Sequence, residues 1–197
     1  GALFALLIAL DYPSDEINAL LPPRGVIDFF SSDELTKTLP KKISPSIDNF
    51  LELNSINPLS DGTMLLNLIE KLIFSRTETP DCTFEEFVKL KDTNPFRHLH
   101  LFTLNLGRRS KIIRISSEDD DFKKIVISDA VFACLAIPGM VAPHPLREKR
   151  ETGFCPRPDL GTFIDARHYY PSHLDAFDKE GYQKQGFLSK VAKNYHL

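Results

Sequence analysis

Apolar residues along the chain follow two spacings, one typical of helices and one of short strands. Between residues 61 and 74 they form a single helical stripe, made of Met64, Leu65, Leu68, Ile69, Leu72 and Ile73. This spacing predicts a helix over residues 61–74. The runs at residues 99–106 and 111–116 predict two strands joined by a Gly-Arg-Arg turn, as a hairpin or an adjacent pair. Residues 2–10 are wholly apolar and predict a helix buried on most sides.

Polar residues with capping chemistry mark where further helices begin. Ser14 can cap a short helix that runs through Leu20. Thr83 and Glu86 have the spacing of a capping box ahead of an apolar run, which predicts a helix there. Ser128 is predicted to cap another helix.

Local composition predicts the character of the remaining segments. The helix that starts at Ser128 is expected to run through Ala136 and to be stopped by Pro-Gly. Residues 140–162 are rich in Pro and Gly and predict a loop, and residues 163–165 predict a short strand. Residues 21–59 lack clear periodicity, which predicts an irregular, lid-like insertion. Helices that alternate with few short strands favour a layered α/β fold, formed as one domain over residues 1–197.

Composition and charge exclude several classes of protein. The chain has 197 residues, 42% of them apolar and 26% charged, as in an ordinary globular domain. Its net charge of −3 argues against general nucleic-acid binding. The cysteines, Cys82, Cys134 and Cys155, are odd in number and widely spaced, so we expect free thiols in a reducing, cytoplasmic compartment. The apolar start lacks a basic segment and a cleavage site, and it is too short for a membrane span.

The first residues match the end of a nucleophile elbow. In a G-x-S-x-G elbow the helix begins directly after the serine, and its amino end stabilises an anionic intermediate. Gly1 and the apolar residues 2–7 fit the last elbow glycine and that helix. The serine would then lie two positions before Gly1, and we interpret the chain as a fragment of a longer protein. The alternative is a small residue that starts an ordinary core helix.

Residues 128–139 read Ser-Asp-Ala-Val-Phe-Ala-Cys-Leu-Ala-Ile-Pro-Gly, with an Asp-Ala-Val start, a helix of small residues and a closing Ile-Pro-Gly. This stretch resembles one in the patatin-like family of lipid acyl hydrolases, bacterial members in particular. Asp165 follows a short apolar strand, as does the aspartate of the family's Asp-Gly-Gly or Asp-Gly-Ala motif, and Pro171 lies close to the family's proline. Residues 83–87 and the strand at 99–104 look like the family's middle region, so the resemblance spans nearly the whole chain.

The resemblance implies a three-layer α/β/α patatin-like fold with a Ser–Asp dyad. Asp165 would be the proton acceptor, and the serine before Gly1 would attack an ester carbonyl. A glycine-rich loop, also before Gly1, would stabilise the oxyanion. The implied partner is a phospholipid or other acyl lipid, met peripherally at a membrane surface, with no metal, cofactor or nucleic acid; a protein activator is left open. The chain alone would be inactive.

Two residues after the aspartate depart from the family pattern. Ala166 stands where the family has glycine, and an alanine is costly if the turn needs positive φ. Arg167 follows and places a fixed cation near Asp165, which would weaken the carboxylate as a base. These departures favour an alternative function, a non-catalytic patatin-like module that binds a protein or a membrane surface. An unrelated α/β domain with chance matches is a third interpretation.

Three other groups of residues could carry chemistry. His98 and His100 could share one strand face and bind a metal ion. Ser172 lies between two histidines within residues 168–173, although the members of a catalytic triad normally converge from separate segments. The basic residues within 108–111 form either a solvated turn or a patch for anionic lipid headgroups.

Overall fold

A computed structural model describes residues 1–20, 62–106, 111–137 and 141–166. The chain divides into two compact units, Gly1–Asp165 and Ala166–Leu197, and the description of the second unit is limited to Ala166. The single domain over residues 1–197 stays a prediction. Several predictions lie outside the described residues: the insertion at 21–59, the turn at 107–109, Pro138–Gly139 as a helix stop, Arg167, Pro171 and the segment 168–173.

The described residues form helices and antiparallel sheets, so the prediction of a mixed α/β composition is confirmed. The helices are α1 (Ala2–Ala9), α2 (Ser14–Leu20), α3 (Thr63–Thr77), α4 (Phe84–Leu90) and α5 (Ile127–Leu135). The strands are β1 (His100–Asn105), β2 (Lys111–Ser116), β3 (His144–Pro145), β4 (Arg147–Arg150), β5 (Gly153–Pro156) and β6 (Thr162–Asp165). Short 3₁₀ helices occur at Asp120–Phe122 and Pro158–Leu160.

The strands of the larger sheet are ordered β2-β1-β6-β3, and each neighbouring pair is antiparallel. The predicted strands at 99–106 and 111–116 are therefore confirmed as an adjacent antiparallel pair. In the register of β1 and β6, Thr103 lies opposite Asp165. Strands β4 and β5 form a separate two-stranded ribbon.

Helix α1 packs into the core and is buried on most of its sides, as predicted, but one face is open. Leu3, Leu6 and Leu7 are buried, while Phe4 and Ile8 are each almost half exposed. Phe4 and Ile8 are four residues apart, so they lie on the same face of the helix. One apolar face of α1 is thus open to solvent, which uniform hydrophobicity along the sequence could not reveal.

Helix α3 confirms the predicted apolar stripe with one exception. Its buried positions include Leu65 and Ile69, whereas Met64 is 72% exposed. The helix starts after Gly62, whose φ is 71°. A Cβ atom at Gly62 would overlap the ring of Phe132 in α5. Glycine is therefore required there both for the left-handed backbone and for the close approach of the two helices.

Helix α5 is the centre of the first unit. All nine of its residues are buried, and it contacts α1, α3, β1, β3 and β6. The prediction that Ser128 caps this helix is wrong, because the N-cap residue is Val126 and no side chain caps it. Ser128 lies inside the first turn, where its hydroxyl is buried and has no hydrogen-bond partner. The helix ends at Leu135, one residue before the predicted Ala136.

The prediction of a loop over residues 140–162 is also wrong. This segment contains β3, β4, β5 and a 3₁₀ helix. Strand β4 was not predicted because its sequence, Arg-Glu-Lys-Arg, shows no alternation of apolar and polar residues. Its side chains form ion pairs instead: Lys149 with Glu86 at 2.9 Å, and Glu148 with Arg150 at 3.0 Å.

The predicted capping box at the start of α4 is confirmed. The Glu86 backbone N–H donates to Thr83 Oγ1 at 3.2 Å, and the Thr83 N–H donates to Glu86 Oε2 at 2.9 Å. The pair satisfies two backbone donors that the first turn of a helix otherwise leaves without a partner.

We expect Thr83→Ala to lower the free energy of unfolding by about 1 kcal/mol, because it removes the cap. Thr83→Ser keeps the hydroxyl and should retain most of the stability. Urea denaturation of the two variants and the parent chain measures the difference. Equal stability of the alanine and serine variants would show that the cap contributes nothing.

Candidate active site

Asp165 is the last residue of β6 and is only 6% exposed. Residues opposite each other in antiparallel strands project to the same face, so Asp165 and Thr103 share a face of the sheet. Leu101 and Phe163 lie two residues from them along the strands and therefore belong to that face as well. Both are members of the core cluster that also contains the leucines of α1. The carboxylate and α1 thus lie on the same side of the sheet.

Gly1 is exposed and is the N-cap residue of α1. Its carbonyl accepts the first intrahelical hydrogen bond, from the Ala5 N–H at 3.0 Å. The opposite end of the helix is fixed where the chain enters β1, because the Arg97 N–H donates to the Ala9 carbonyl at 2.9 Å. Helix α1 and strand β6 both pack against α5.

The structure brings together the two segments that resemble the family motifs. The Asp165 N–H donates to the carbonyl of Ala136 at 3.0 Å. Ala136 follows the last residue of α5 and has left the helical conformation, with φ −70° and ψ 86°. The end of α5 therefore contacts the residue that the sequence predicts as the base, although 29 positions separate Ala136 from Asp165.

The backbone at Ala166 does not require glycine. Among the non-glycine residues that the structure describes, Asp11 and Glu78 are the ones with positive φ. Ala166 therefore has negative φ and does not incur the steric cost that a left-handed turn would impose on alanine. The first departure from the family motif is compatible with the backbone found here.

Cys134 is buried near Asp165 and occupies a position where the family often has serine. Burial raises the pKa of the Cys134 thiol, the charge of Asp165 raises it further, and only the hydrogen bond with Thr103 acts in the opposite direction. Because the thiolate is the nucleophilic form, Cys134 stays an unreactive thiol.

Asp129 is a buried carboxylate that the sequence analysis did not single out. Its two oxygens accept hydrogen bonds from Arg147 Nε and Nη2, each at 2.7 Å, and Oδ2 also accepts the Arg147 backbone N–H at 3.0 Å. His144 Nε2 lies 3.1 Å from Oδ1. Burial by itself would raise the pKa of Asp129, but the hydrogen bonds from His144 and Arg147 outweigh it and lower the pKa. The carboxylate therefore anchors the first turn of α5 to β3 and β4.

A signal for this anchor existed in the sequence. Asp129 is the third residue of α5, where a carboxylate is favoured by the helix dipole. An aspartate within an otherwise apolar helix needs a cation or hydrogen-bond donors when it is buried. The sequence does not show that the partners come from residues 144–147, because that segment appeared to be a loop.

His98 and His100 form a polar cluster at the start of β1. Their ring centroids are 6.5 Å apart, and their Nε2 atoms lie 4.0 and 3.5 Å from the carboxylate of Glu118. Their Nδ1 atoms contact the hydroxyls of Ser117 and Ser116 at 3.2 and 2.9 Å. Across the described ranges, no group of three His, Cys, Asp or Glu side chains is arranged to hold a metal ion. The cluster links β1 to the turn after β2.

Comparison with known proteins finds no family model that matches the chain, and no match among curated proteins or solved structures. Within residues 1–20, 62–106, 111–137 and 141–166, no helix combines the length and the apolar character needed to cross a membrane.

We expect Arg147→Met to lower the free energy of unfolding by about 3 kcal/mol. This value is at the low end of the destabilisation expected when one partner of a buried ion pair is removed. We expect the low end because His144 remains beside Asp129. Arg150→Met is the matched control, since Arg150 is half exposed and should contribute less than about 1 kcal/mol. Chemical denaturation at neutral pH measures both. Equal losses in the two variants would contradict the anchoring role of Asp129.

The same ion pair predicts how stability depends on pH. The folded pKa of Asp129 lies below its ordinary value of 3.8. The stabilisation is therefore complete well above pH 3.8 and is lost as the pH falls through the lower folded pKa. Over this pH range, the Arg147→Met variant should lose less unfolding free energy than the parent chain, as measured by acid denaturation.

The burial of His100 predicts a second dependence of stability on pH. Burial lowers its pKa below the ordinary 6.5, although Glu118 acts in the opposite direction. The unfolded chain then binds a proton more readily, so stability is highest above pH 6.5 and falls below it. His100→Asn should flatten this decline, as measured by thermal unfolding at several pH values, and His98→Asn is the control. An unchanged decline in His100→Asn would show that another group causes it.

Proposed function

We propose that the chain belongs to a patatin-like lipid acyl hydrolase with a three-layer α/β/α fold, in which Asp165 is the proton acceptor of a Ser–Asp dyad. The observation that carries the proposal is the hydrogen bond between the Asp165 N–H and the Ala136 carbonyl. It joins the segment that ends in Ile-Pro-Gly to the aspartate, and these are two of the segments on which the family resemblance rests. The position of α1 and Asp165 on one face of the sheet supports it further.

The proposed chemistry divides between this chain and the residues that the resemblance places before Gly1. A serine two positions before Gly1 attacks the ester carbonyl of a phospholipid or another acyl lipid. Asp165 accepts the serine proton as the serine forms an acyl ester. Asp165 then passes this proton to the alcohol that leaves. Water then hydrolyses the acyl ester. The amino end of α1 points backbone N–H groups toward the developing negative charge.

The surroundings of Asp165 suit a base that accepts a proton directly. The side chain is almost completely buried at the end of β6. Partial exclusion of water strengthens electrostatic interactions with a reacting group. A base must also reach its proton at hydrogen-bond distance, so the backbone that carries it has to be fixed.

A second candidate function is a non-catalytic module that binds a protein or a membrane surface. The observation that favours it is the open apolar face of α1, where Phe4 and Ile8 are each almost half exposed. The two candidates differ in one property, the ability to release fatty acid.

The test is a protein extended upstream of Gly1 by the residues that the resemblance implies there. We expect it to release fatty acid from phospholipid vesicles, and Asp165→Asn to reduce kcat by roughly 10³- to 10⁴-fold, as is typical when one member of a catalytic unit is removed. Asp120→Asn is the matched control, because the Asp120 side chain is 97% exposed and should leave activity unchanged.

The chain that starts at Gly1 should release no fatty acid. Turnover by this chain, or equal turnover by the Asp165→Asn protein, would overturn the dyad. An extended protein that binds vesicles without hydrolysing them would support the non-catalytic module.

A further inference from the structure

The peptide group that joins Ile164 to Asp165 is held at both of its polar atoms. Its carbonyl oxygen accepts a hydrogen bond from Thr103 Oγ1 at 2.8 Å, and its N–H donates to the Ala136 carbonyl at 3.0 Å. One of these partners is a side chain of β1 and the other is the backbone after α5. The orientation of this peptide plane restricts φ of Asp165. The φ angle in turn sets the direction in which the Cα–Cβ bond, and with it the carboxylate, leaves the backbone.

Asp165 needs such support because β6 ends there. The pairing of β1 with β6 extends from Asn105 and Phe163 to Thr103 and Asp165 and then stops. A residue at the end of a strand frays more readily than one inside the sheet. The Asp165 N–H donates to the carbonyl of Ala136, which follows α5 and is not part of β1. Beside the backbone pairing of Leu104 with Ile164, the Thr103 hydroxyl adds a side-chain link between β1 and this peptide.

Thr103 is suited to this task by its own surroundings. It is completely buried, with no exposed surface. Its β-branched side chain has few rotamers, which keeps the hydroxyl aimed at the Ile164 carbonyl. The thiol of Cys134 in α5 interacts with the same hydroxyl.

We propose that Thr103 is a positioning residue for Asp165. Its buried hydroxyl, together with the carbonyl of Ala136, fixes the orientation of the carboxylate at the end of β6. Thr103 does not contact the substrate. The role in catalysis rests on the proposed function, whereas the role in holding the peptide can be tested in this chain without any activity.

The first experiment measures amide hydrogen exchange by NMR in the chain as it stands. Thr103→Val removes the hydroxyl and keeps the shape, and Thr103→Ser restores the hydroxyl. Thr77→Val is the matched control, because Thr77 is also a buried threonine that donates to a carbonyl, that of Ile73 in α3 at 2.9 Å. Thr103→Val should raise the exchange rate of the Asp165 amide roughly tenfold, the change expected for loss of one buried hydrogen bond.

The control separates positioning from general stability. Thr77→Val should lower the free energy of unfolding without a selective change at the Asp165 amide, and Thr103→Ser should return the exchange rate to that of the parent. If Thr103→Val and Thr77→Val change exchange at Asp165 equally, the positioning role is wrong.

The second experiment uses the upstream-extended protein. Thr103→Val should lower kcat roughly ten- to a hundredfold, because a small displacement of a catalytic group is costly, while KM stays nearly constant. Thr103→Ser should recover kcat. Full kcat in Thr103→Val would overturn the positioning role. If the extended protein shows no hydrolysis at all, the proposed function fails, and the exchange experiment alone decides the role of Thr103.

Discussion

The complete burial of α5 is the constraint around which the first unit is built. A helix that is surrounded on all sides cannot leave its polar ends to solvent, so both ends need partners within the protein. At the amino end Asp129 binds Arg147 and His144, and at the carboxyl end the Ala136 carbonyl accepts the Asp165 N–H. The first contact fixes β3 and β4 against the helix, and the second fixes the end of β6. The candidate site therefore depends on how this helix is held.

The predictable part of the fold follows from regular spacing and from capping chemistry. Helix α3, the capping box at Thr83 and the adjacent strands β1 and β2 each have a signal confined to about fifteen neighbouring residues. Such signals depend on local backbone preference and on a single buried face, so they can be derived from the sequence alone. Asp165 at the end of a short apolar strand belongs to the same group.

Other features depend on contacts between distant segments and left no local signal. Every residue of strand β4 is charged, and the ion-pair partners of these side chains include residues of α4, of α5 and of β4 itself, so its sequence does not look like a strand. Ser128 seemed to be a cap, but the N-cap residue is Val126, two residues earlier, and Val126 and Ile127 are both buried in the core. The hydroxyl of Thr103 can reach the peptide before Asp165 only because the strand register places the two residues opposite each other. The place of Asp165 at the end of its strand was thus predictable, and the groups that bind the neighbouring peptide were not.

The uneven exposure of the three cysteines has a practical consequence. Cys82 and Cys134 are buried, and burial raises the pKa of Cys82 to about 12, whereas Cys155 is partly exposed on β5. An alkylating reagent will therefore reach Cys155 first and the other two only when the interior opens. Because Cys134 belongs to α5, its rate of labelling reports directly on the opening of the central helix, and a fluorophore on Cys155 gives a marker for the ribbon.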